Sequence, residues 1–204
     1  PRMNGYELCK TIKEDIAISH IPVILLTAKD DKQSLISGYK NGADGYLSKP
    51  FEVEMLMELI RNRLKNREYT KKRYLNAGLI PTPEESTISL TDETFLIKLN
   101  SIIQENIDNT NLGIQFICQE VGLGRSSLYN KLKALTGMGA NEYISKLRIE
   151  KAITLISGTD MPFSEIAEKT GFTTPSYFST TFKQYTGETP SQYKERKKKG
   201  LTDQ

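Results

Sequence analysis

The chain has 204 residues, 37% of them hydrophobic and 26% charged, with a formal net charge of +3. These values are typical of a folded globular protein and exclude a disordered or fibrous chain. Two cysteines and one histidine are too few for a four-ligand zinc site or a disulfide-stapled scaffold, so the sequence predicts no metal centre. We expect Cys9 and Cys118 to be buried, reduced thiols and His20 to have a structural role in a loop. The longest apolar run, residues 21–26, is too short to span a membrane.

A stretch from 77 to 87, rich in proline, glycine and polar residues, has no periodicity and is typical of a linker. Charge is distributed unevenly around it. Residues 1–75 contain 14 Lys/Arg and 10 Asp/Glu, which gives +4, whereas residues 76–204 contain 14 and 15, which gives −1. The sequence therefore predicts two modules.

Before the linker, apolar periodicity predicts helices over 6–16, 32–41 and 51–64 and strands over 21–27 and 45–48. The continuous apolar run of the first strand is typical of a strand buried on both faces of a parallel sheet. Strands that alternate with helices indicate an α/β fold of the doubly wound type. Since two strands are too few for a complete sheet, we expect an incomplete one.

After the linker the pattern is all-α, and it contains an internal repeat. A first helix is predicted from about residue 92 to 107. The segment 117–123 recurs at 166–172, and six residues between 128 and 143 recur 50 positions later. Each copy predicts a short helix, a turn that begins at a glycine, and a second helix. This is the helix-turn-helix arrangement, whose second helix can enter the major groove of DNA.

Helical geometry separates each second helix into an apolar and an outward face. The apolar faces are Leu128, Leu132 and Leu135 in the first copy and Phe178, Phe182 and Tyr185 in the second. The candidate DNA-binding residues are Arg125, Ser126, Tyr129, Asn130, Lys133, Thr174, Ser176, Ser179, Thr180 and Lys183. No acidic residue occurs over 122–140 or 171–187, so both outward faces tolerate an anionic partner.

Two other functions are compatible with parts of this pattern. A helical adaptor would bind only proteins and would leave the same outward faces solvated. An enzyme acting on a phosphorylated substrate would use Thr27 and Lys49 at two strand ends, but no histidine or cysteine lies beside them as a base or nucleophile. We therefore expect the chain to have no catalytic residue, and we favour DNA binding.

The run 171–183, GFTTPSYFSTTFK, followed by GETPSQY at 187–193, resembles the C-terminal signature of AraC-type transcription regulators. The resemblance covers about residues 90–197. It implies two helix-turn-helix units joined by a linker helix near 141–157. The second outward face departs from the first because it has no arginine.

The segments PRMNG at 1–5, PVILLTA at 22–28 and GADGYLSKPF at 42–51 resemble the second half of a response regulator receiver domain. The resemblance assigns three switch residues: the strand-end hydroxyl of Thr27, the aromatic ring of Tyr46, and Lys49, which contacts the phosphoryl group. It also implies a cis peptide bond between Lys49 and Pro50. The phosphoacceptor aspartate would lie upstream of Pro1, together with the acidic residues that hold Mg²⁺ in an intact receiver, so we expect no cofactor in this chain.

Together the resemblances predict half a receiver over 1–68, a linker over 69–90, an AraC-type DNA-binding domain over 91–197 and a basic tail over 198–204. They imply a sequence-specific transcription regulator controlled by phosphorelay, as the output end of a hybrid sensor kinase or as a free response regulator. The expected partners are double-stranded DNA, a histidine kinase module and a second copy of the chain in a homodimer. The expected location is the cytoplasm, including the cytoplasmic end of an inner-membrane protein.

Overall fold

The computed structural model describes residues 3–28, 38, 40–76 and 89–202. Its elements in chain order are α1 (Gly5–Glu14), β1 (Ile24–Thr27), β2 (Gly45–Ser48), α2 (Val53–Asn76), α3 (Leu90–Glu105), α4 (Ile114–Val121), α5 (Arg125–Thr136), α6 (Ala140–Gly158), α7 (Phe163–Lys169), α8 (Pro175–Thr186) and α9 (Pro190–Thr202). The predicted class, an incomplete α/β part followed by an all-α part, is confirmed. Most of the predicted helix over 32–41 lies outside the described residues.

The chain forms two compact units. One contains residues 1–98 together with 122–138, and the other contains residues 99–121 together with 139–204. Helix α5 therefore belongs to the same unit as the α/β part, although the sequence places it in the second module.

In the first unit, β1 and β2 form a parallel pair in which Ile24 is opposite Gly45 and Thr27 is opposite Ser48. The first strand begins at Ile24, later than predicted. Pro22 has no N–H to donate to a neighbouring strand. The Val23 carbonyl accepts from both the Asp44 and the Gly45 amides, at 2.9 and 3.2 Å. The predicted cis bond between Lys49 and Pro50 is confirmed.

Two helices of this unit differ from their predicted bounds. Helix α1 begins with a capping box in which the Asn4 side chain accepts from the Glu7 amide, and it ends at Glu14, before an extended Asp15. Helix α2 was predicted to end at residue 64 but continues to Asn76, since no glycine or proline interrupts it. The predicted linker over 69–90 therefore begins inside a helix.

In the second unit, α6 packs against α7, α8 and α9. Their shared core includes Ala152, Ile166, Phe178 and Phe182, each with no accessible surface. Phe178 packs on Phe182, and Phe182 on Tyr193, with ring centroids 5.7 and 5.6 Å apart in edge-to-face arrangements. This aromatic series holds α8 firmly against the rest of the unit.

Candidate nucleic-acid interface

Helix α5 has the two faces that its sequence predicts. Leu128, Leu132 and Leu135 are buried, at 5% exposure or less. The five outward candidates are all exposed: Arg125, Ser126, Tyr129, Asn130 and Lys133. The apolar face anchors the helix, and the polar face is available to a partner in the described structure.

A residue that the sequence reasoning missed is Lys131, which lies on the buried face of α5 and has no accessible surface. Its ammonium pairs with the carboxylate of Asp92 at the start of α3. It also donates a hydrogen bond of 2.7 Å to the Ser19 hydroxyl, which in turn donates to Asp92 at 2.7 Å. The sequence does indicate that this position is buried, because residue 131 is three after Leu128 and four before Leu135 and so shares their face of the helix.

Helix α8 confirms the first two members of its predicted apolar face and corrects the third. Phe178 and Phe182 are completely buried, but Tyr185 is 36% exposed. The Tyr185 hydroxyl donates to the carbonyl of Glu142 at 2.8 Å, so the polar tip keeps the ring at the edge of the core. Burial, with smaller effects of Glu142 and Tyr177, raises the pKa of Tyr185 to about 12. Thr181 is buried instead, at 5% exposure.

On the outward side of α8, Thr174, Ser176, Thr180 and Lys183 are exposed and Ser179 is half-buried. Two of these hydroxyls already make local hydrogen bonds. Thr174 caps the helix by accepting from the Tyr177 amide at 3.1 Å, and Thr180 donates to the Ser176 carbonyl at 3.0 Å. Thr180 thereby commits its donor, and this face has no arginine or asparagine, so it offers fewer free donors for reading bases than that of α5.

The turn before α8 depends on Gly171, which has a positive φ of 72°. A Cβ atom there would lie 2.3 Å from the Ile107 carbonyl oxygen and 2.7 Å from an Arg148 guanidinium nitrogen. Arg148 itself donates to the Asn109 carbonyl at 2.6 Å. The linker helix α6 thus positions the second helix-turn-helix through a contact that only glycine allows.

Two of the three residues assigned to a receiver switch, Thr27 and Lys49, lie at the carboxyl ends of the two strands, and Tyr46 lies within the second strand. The Lys49 amide donates to the Thr27 carbonyl at 2.6 Å, which places both residues at one edge of the sheet. Tyr46 is opposite Leu25 in the parallel pair and is half-buried, as is Thr27, whereas Lys49 is exposed. Ligands of open α/β sheets bind at this edge.

Both cysteines are buried free thiols, as predicted. Burial raises the pKa of the Cys9 thiol, with a smaller opposing effect of Lys13. In the described part of the chain, no group of three or more histidine, cysteine or acidic side chains is arranged to hold a metal ion. None of the described helices is both long and apolar enough to cross a bilayer.

Comparison with known proteins gives two family matches. The response regulator receiver domain matches residues 1–61, and a helix-turn-helix domain matches residues 117–196. A curated relative from Formosa agariphila, described as histidine kinase P4, is 42% identical over 96% of this chain. A probable transcriptional regulator of Pyropia yezoensis, ycf29, is 29% identical over 70% of this chain and 69% of its own length.

Among solved structures, the C-terminal domain of AraT, a response regulator from Geobacillus stearothermophilus, is 29% identical with a TM-score of 0.48. The match covers 54% of this chain and 88% of that one. The chain spans 14% of the length of the Formosa relative. The two family matches fall on the α/β part and on the helical repeat, so the chain joins part of a response regulator receiver domain to an AraC-type helix-turn-helix domain.

Proposed function

We propose that this chain reads a specific duplex DNA sequence with α5, anchors to the DNA backbone with α8, and passes a phosphorelay signal to transcription. The observation that carries the proposal is the polarity of α5. Its inward leucines are buried, its five outward candidates are exposed, and residues 122–140 contain no acid. A partner on that face must accept hydrogen bonds and tolerate positive charge, which duplex DNA does.

The outward residues divide by chemistry. Asn130 can pair bidentately with adenine, and Arg125 with guanine, so these two read bases in our proposal. Lys133 and Ser126 reach phosphates, as do Lys183 and the hydroxyls of α8. Tyr129 on the flank of α5 packs against the sugar backbone.

The receiver part carries the regulatory signal in this proposal. A phosphoryl group at the carboxyl ends of the strands accepts a hydrogen bond from the Thr27 hydroxyl and is neutralised by Lys49, with Tyr46 following the movement. An intact receiver would supply the phosphoacceptor and Mg²⁺. These assignments rest on the place of Thr27 and Lys49 at one edge of the sheet and of Tyr46 on the strand that leads to Lys49.

We further propose that the whole protein is a hybrid sensor in which a histidine kinase module of the same chain is the phosphoryl donor. The support is the 42% identity to a relative described as a histidine kinase, which extends over 96% of this chain. In such a protein, the 204 residues of this chain would form the non-catalytic output end, on the cytoplasmic side of the membrane.

The last element of the proposal is a homodimer. In the described residues β1 has one partner strand, and Leu8, Ile21 and Leu26 around it are between 43% and 51% exposed. An unpaired strand edge favours strand pairing, and two strands are too few for independent stability. A second copy of this chain that covers this edge would satisfy both requirements, whereas in an intact receiver further strands of the same sheet would cover it and the contact need not exist. Light scattering that gives a monomer mass at high concentration would contradict this element.

The decisive experiment is selection of bound sequences from a random pool of duplex DNA, followed by anisotropy titration of the selected and a scrambled duplex. We expect the selected duplex to bind at least about a thousandfold more tightly. Equal affinity for both duplexes at moderate salt would contradict sequence reading, and no binding at low salt would contradict DNA binding altogether.

A further inference from the structure

The first compact unit contains a cavity of about 280 Å³ that the proposed function does not use. Its lining comes from Lys13 of α1, from His20 in the segment before β1, and from Arg63 and Arg67 of α2. Asp44 and Asp92 also reach it. This volume lies just below the range of about 300–1,000 Å³ that is typical of small-molecule sites, so the cavity suits only a small ligand.

Two nitrogen atoms at this cavity are buried without a hydrogen-bond partner among the described residues: Nδ1 of His20 and Nε of Arg63. Buried polar atoms in native proteins are nearly always paired, because an unpaired one loses its hydration without compensation. Two such atoms on one cavity point to a ligand that pairs with both, and the His20 ring can present Nδ1 as a donor in one of its two neutral tautomers. A guanidinium donates only, so the missing partner of Arg63 must be an acceptor.

The charges around the cavity determine the sign of that ligand. Asp44 already pairs with Lys13 at 2.6 Å, and Asp92 pairs with Lys131. Arg63 and Arg67, four residues apart on one face of α2, have no carboxylate partner among the described residues. The site therefore has two guanidinium groups and no uncommitted acid.

The pKa of His20 reflects the same positive field. Burial, followed by the positive charges of Lys131, Arg67 and Lys13, lowers the pKa of His20, and Asp92 opposes this effect. The charged and titratable groups that face the cavity with it are Lys13, Asp44, Arg63, Arg67 and Asp92, with Lys131 behind Asp92. An anion bound here would offset the positive field.

We infer that this cavity binds a small phosphate-class anion, held by the guanidinium groups of Arg63 and Arg67 and by the ring of His20. Two planar guanidinium forks match an oxyanion that offers several acceptor oxygens, and arginine is suited to such bidentate recognition. The ligand is inorganic phosphate or the phosphate group of a small monoester. The inference is independent of DNA binding, so either can fail without the other.

His20 is the only histidine of the chain, so its ring gives an isolated signal in proton NMR. We would follow this signal at pH 7.5 and constant ionic strength while adding inorganic phosphate, glycerol phosphate or acetate. We expect a saturable shift with either phosphate compound and none with acetate. Tighter binding of one compound identifies the source as free phosphate or as a monoester. We also expect bound phosphate to raise the pKa of His20, because the anion stabilises the imidazolium.

The variants R63Q and R67Q should each weaken phosphate binding at least about tenfold, since each removes a charge-assisted, bidentate contact. The matched control is K65Q, because Lys65 is an exposed cation on the same helix and does not line the cavity. R67K keeps the positive charge but replaces the bidentate guanidinium with an ammonium group. We expect its phosphate affinity to lie between those of wild type and R67Q. A His20 signal that phosphate does not shift would overturn the inference. Equal shifts with acetate, or equal weakening in K65Q, would do the same.

Discussion

The Lys131 ammonium of α5 donates a hydrogen bond of 2.7 Å to the hydroxyl of Ser19, which lies 112 positions earlier in the receiver part of the chain. Both residues are completely buried. The same ammonium pairs with Asp92 of α3, so one cation joins three distant segments. The back of the first recognition helix is therefore fixed to the receiver part by a buried polar network.

We expect Lys131→Met to lower the free energy of unfolding by about 3–5 kcal/mol, because it leaves the Asp92 carboxylate buried without its partner. Urea denaturation followed by circular dichroism measures this. Lys133→Met on the exposed face should change stability by less than about 0.5 kcal/mol. The double variant Lys131→Met/Asp92→Leu should recover much of the loss, since no charge remains buried. Equal effects of the two single lysine variants would disprove the network.

The repeat offers a matched pair of glycines for a second test. Gly122 and Gly171 open the two helix-turn-helix turns with φ values of 71° and 72°. Nothing lies within 4 Å of a Cβ at Gly122, whereas a backbone oxygen lies 2.3 Å from one at Gly171. We expect Gly122→Ala to lower the free energy of unfolding by about 1–2 kcal/mol, because alanine is strained in the left-handed backbone conformation. Gly171→Ala should lower the free energy of unfolding by about 1–3 kcal/mol more than Gly122→Ala does, because its methyl group also overpacks against the Ile107 carbonyl. Thermal unfolding of both variants checks the order.

On DNA, we expect Asn130→Ala to relax base preference at one position, with a loss of about 1–3 kcal/mol for the preferred base. Binding titrations against a panel of single-base operator variants measure this effect. The affinity for already mismatched sites should change little.

By contrast, Lys183→Ala should weaken binding to every sequence and make the slope of log affinity against log salt shallower by about 1. Lys65→Ala, which removes an exposed lysine outside both helix-turn-helix units, should leave affinity and slope unchanged. If Lys183→Ala changed the preferred sequence, the assignment of α8 to backbone contacts would be wrong.

His20 gives a pH test. Its pKa is lowered in the folded state, chiefly by burial, from an ordinary value of 6.5. As the pH falls below 6.5, the unfolded chain takes up a proton that the folded chain resists, so the free energy of unfolding decreases. We expect wild type to lose more stability than His20→Gln between pH 8 and pH 5, in denaturation curves recorded without phosphate. Parallel losses in both proteins would contradict the lowered pKa.

The periodicity of the sequence was sufficient to predict the buried faces of both recognition helices, because helical geometry alone places Leu128 beside Leu132 and Phe178 beside Phe182. It was also sufficient for the parallel strand pair, but the predicted burial of the first strand on both faces was wrong, since Leu26 of β1 is 43% exposed. The turn glycines followed from the repeat. The helix faces depend on neighbours within a few residues, and local sequence records such neighbours.

Tertiary structure alone decided the rest. Helical spacing places Lys131 on the buried face of α5, but its partners, Ser19 and Asp92, come from segments 112 and 39 residues away, and no local pattern indicates that they meet. Tyr185 leaves the core because its hydroxyl finds a carbonyl 43 residues earlier. A buried polar group is tolerated only where a partner satisfies it, and the identity of that partner depends on how distant segments pack.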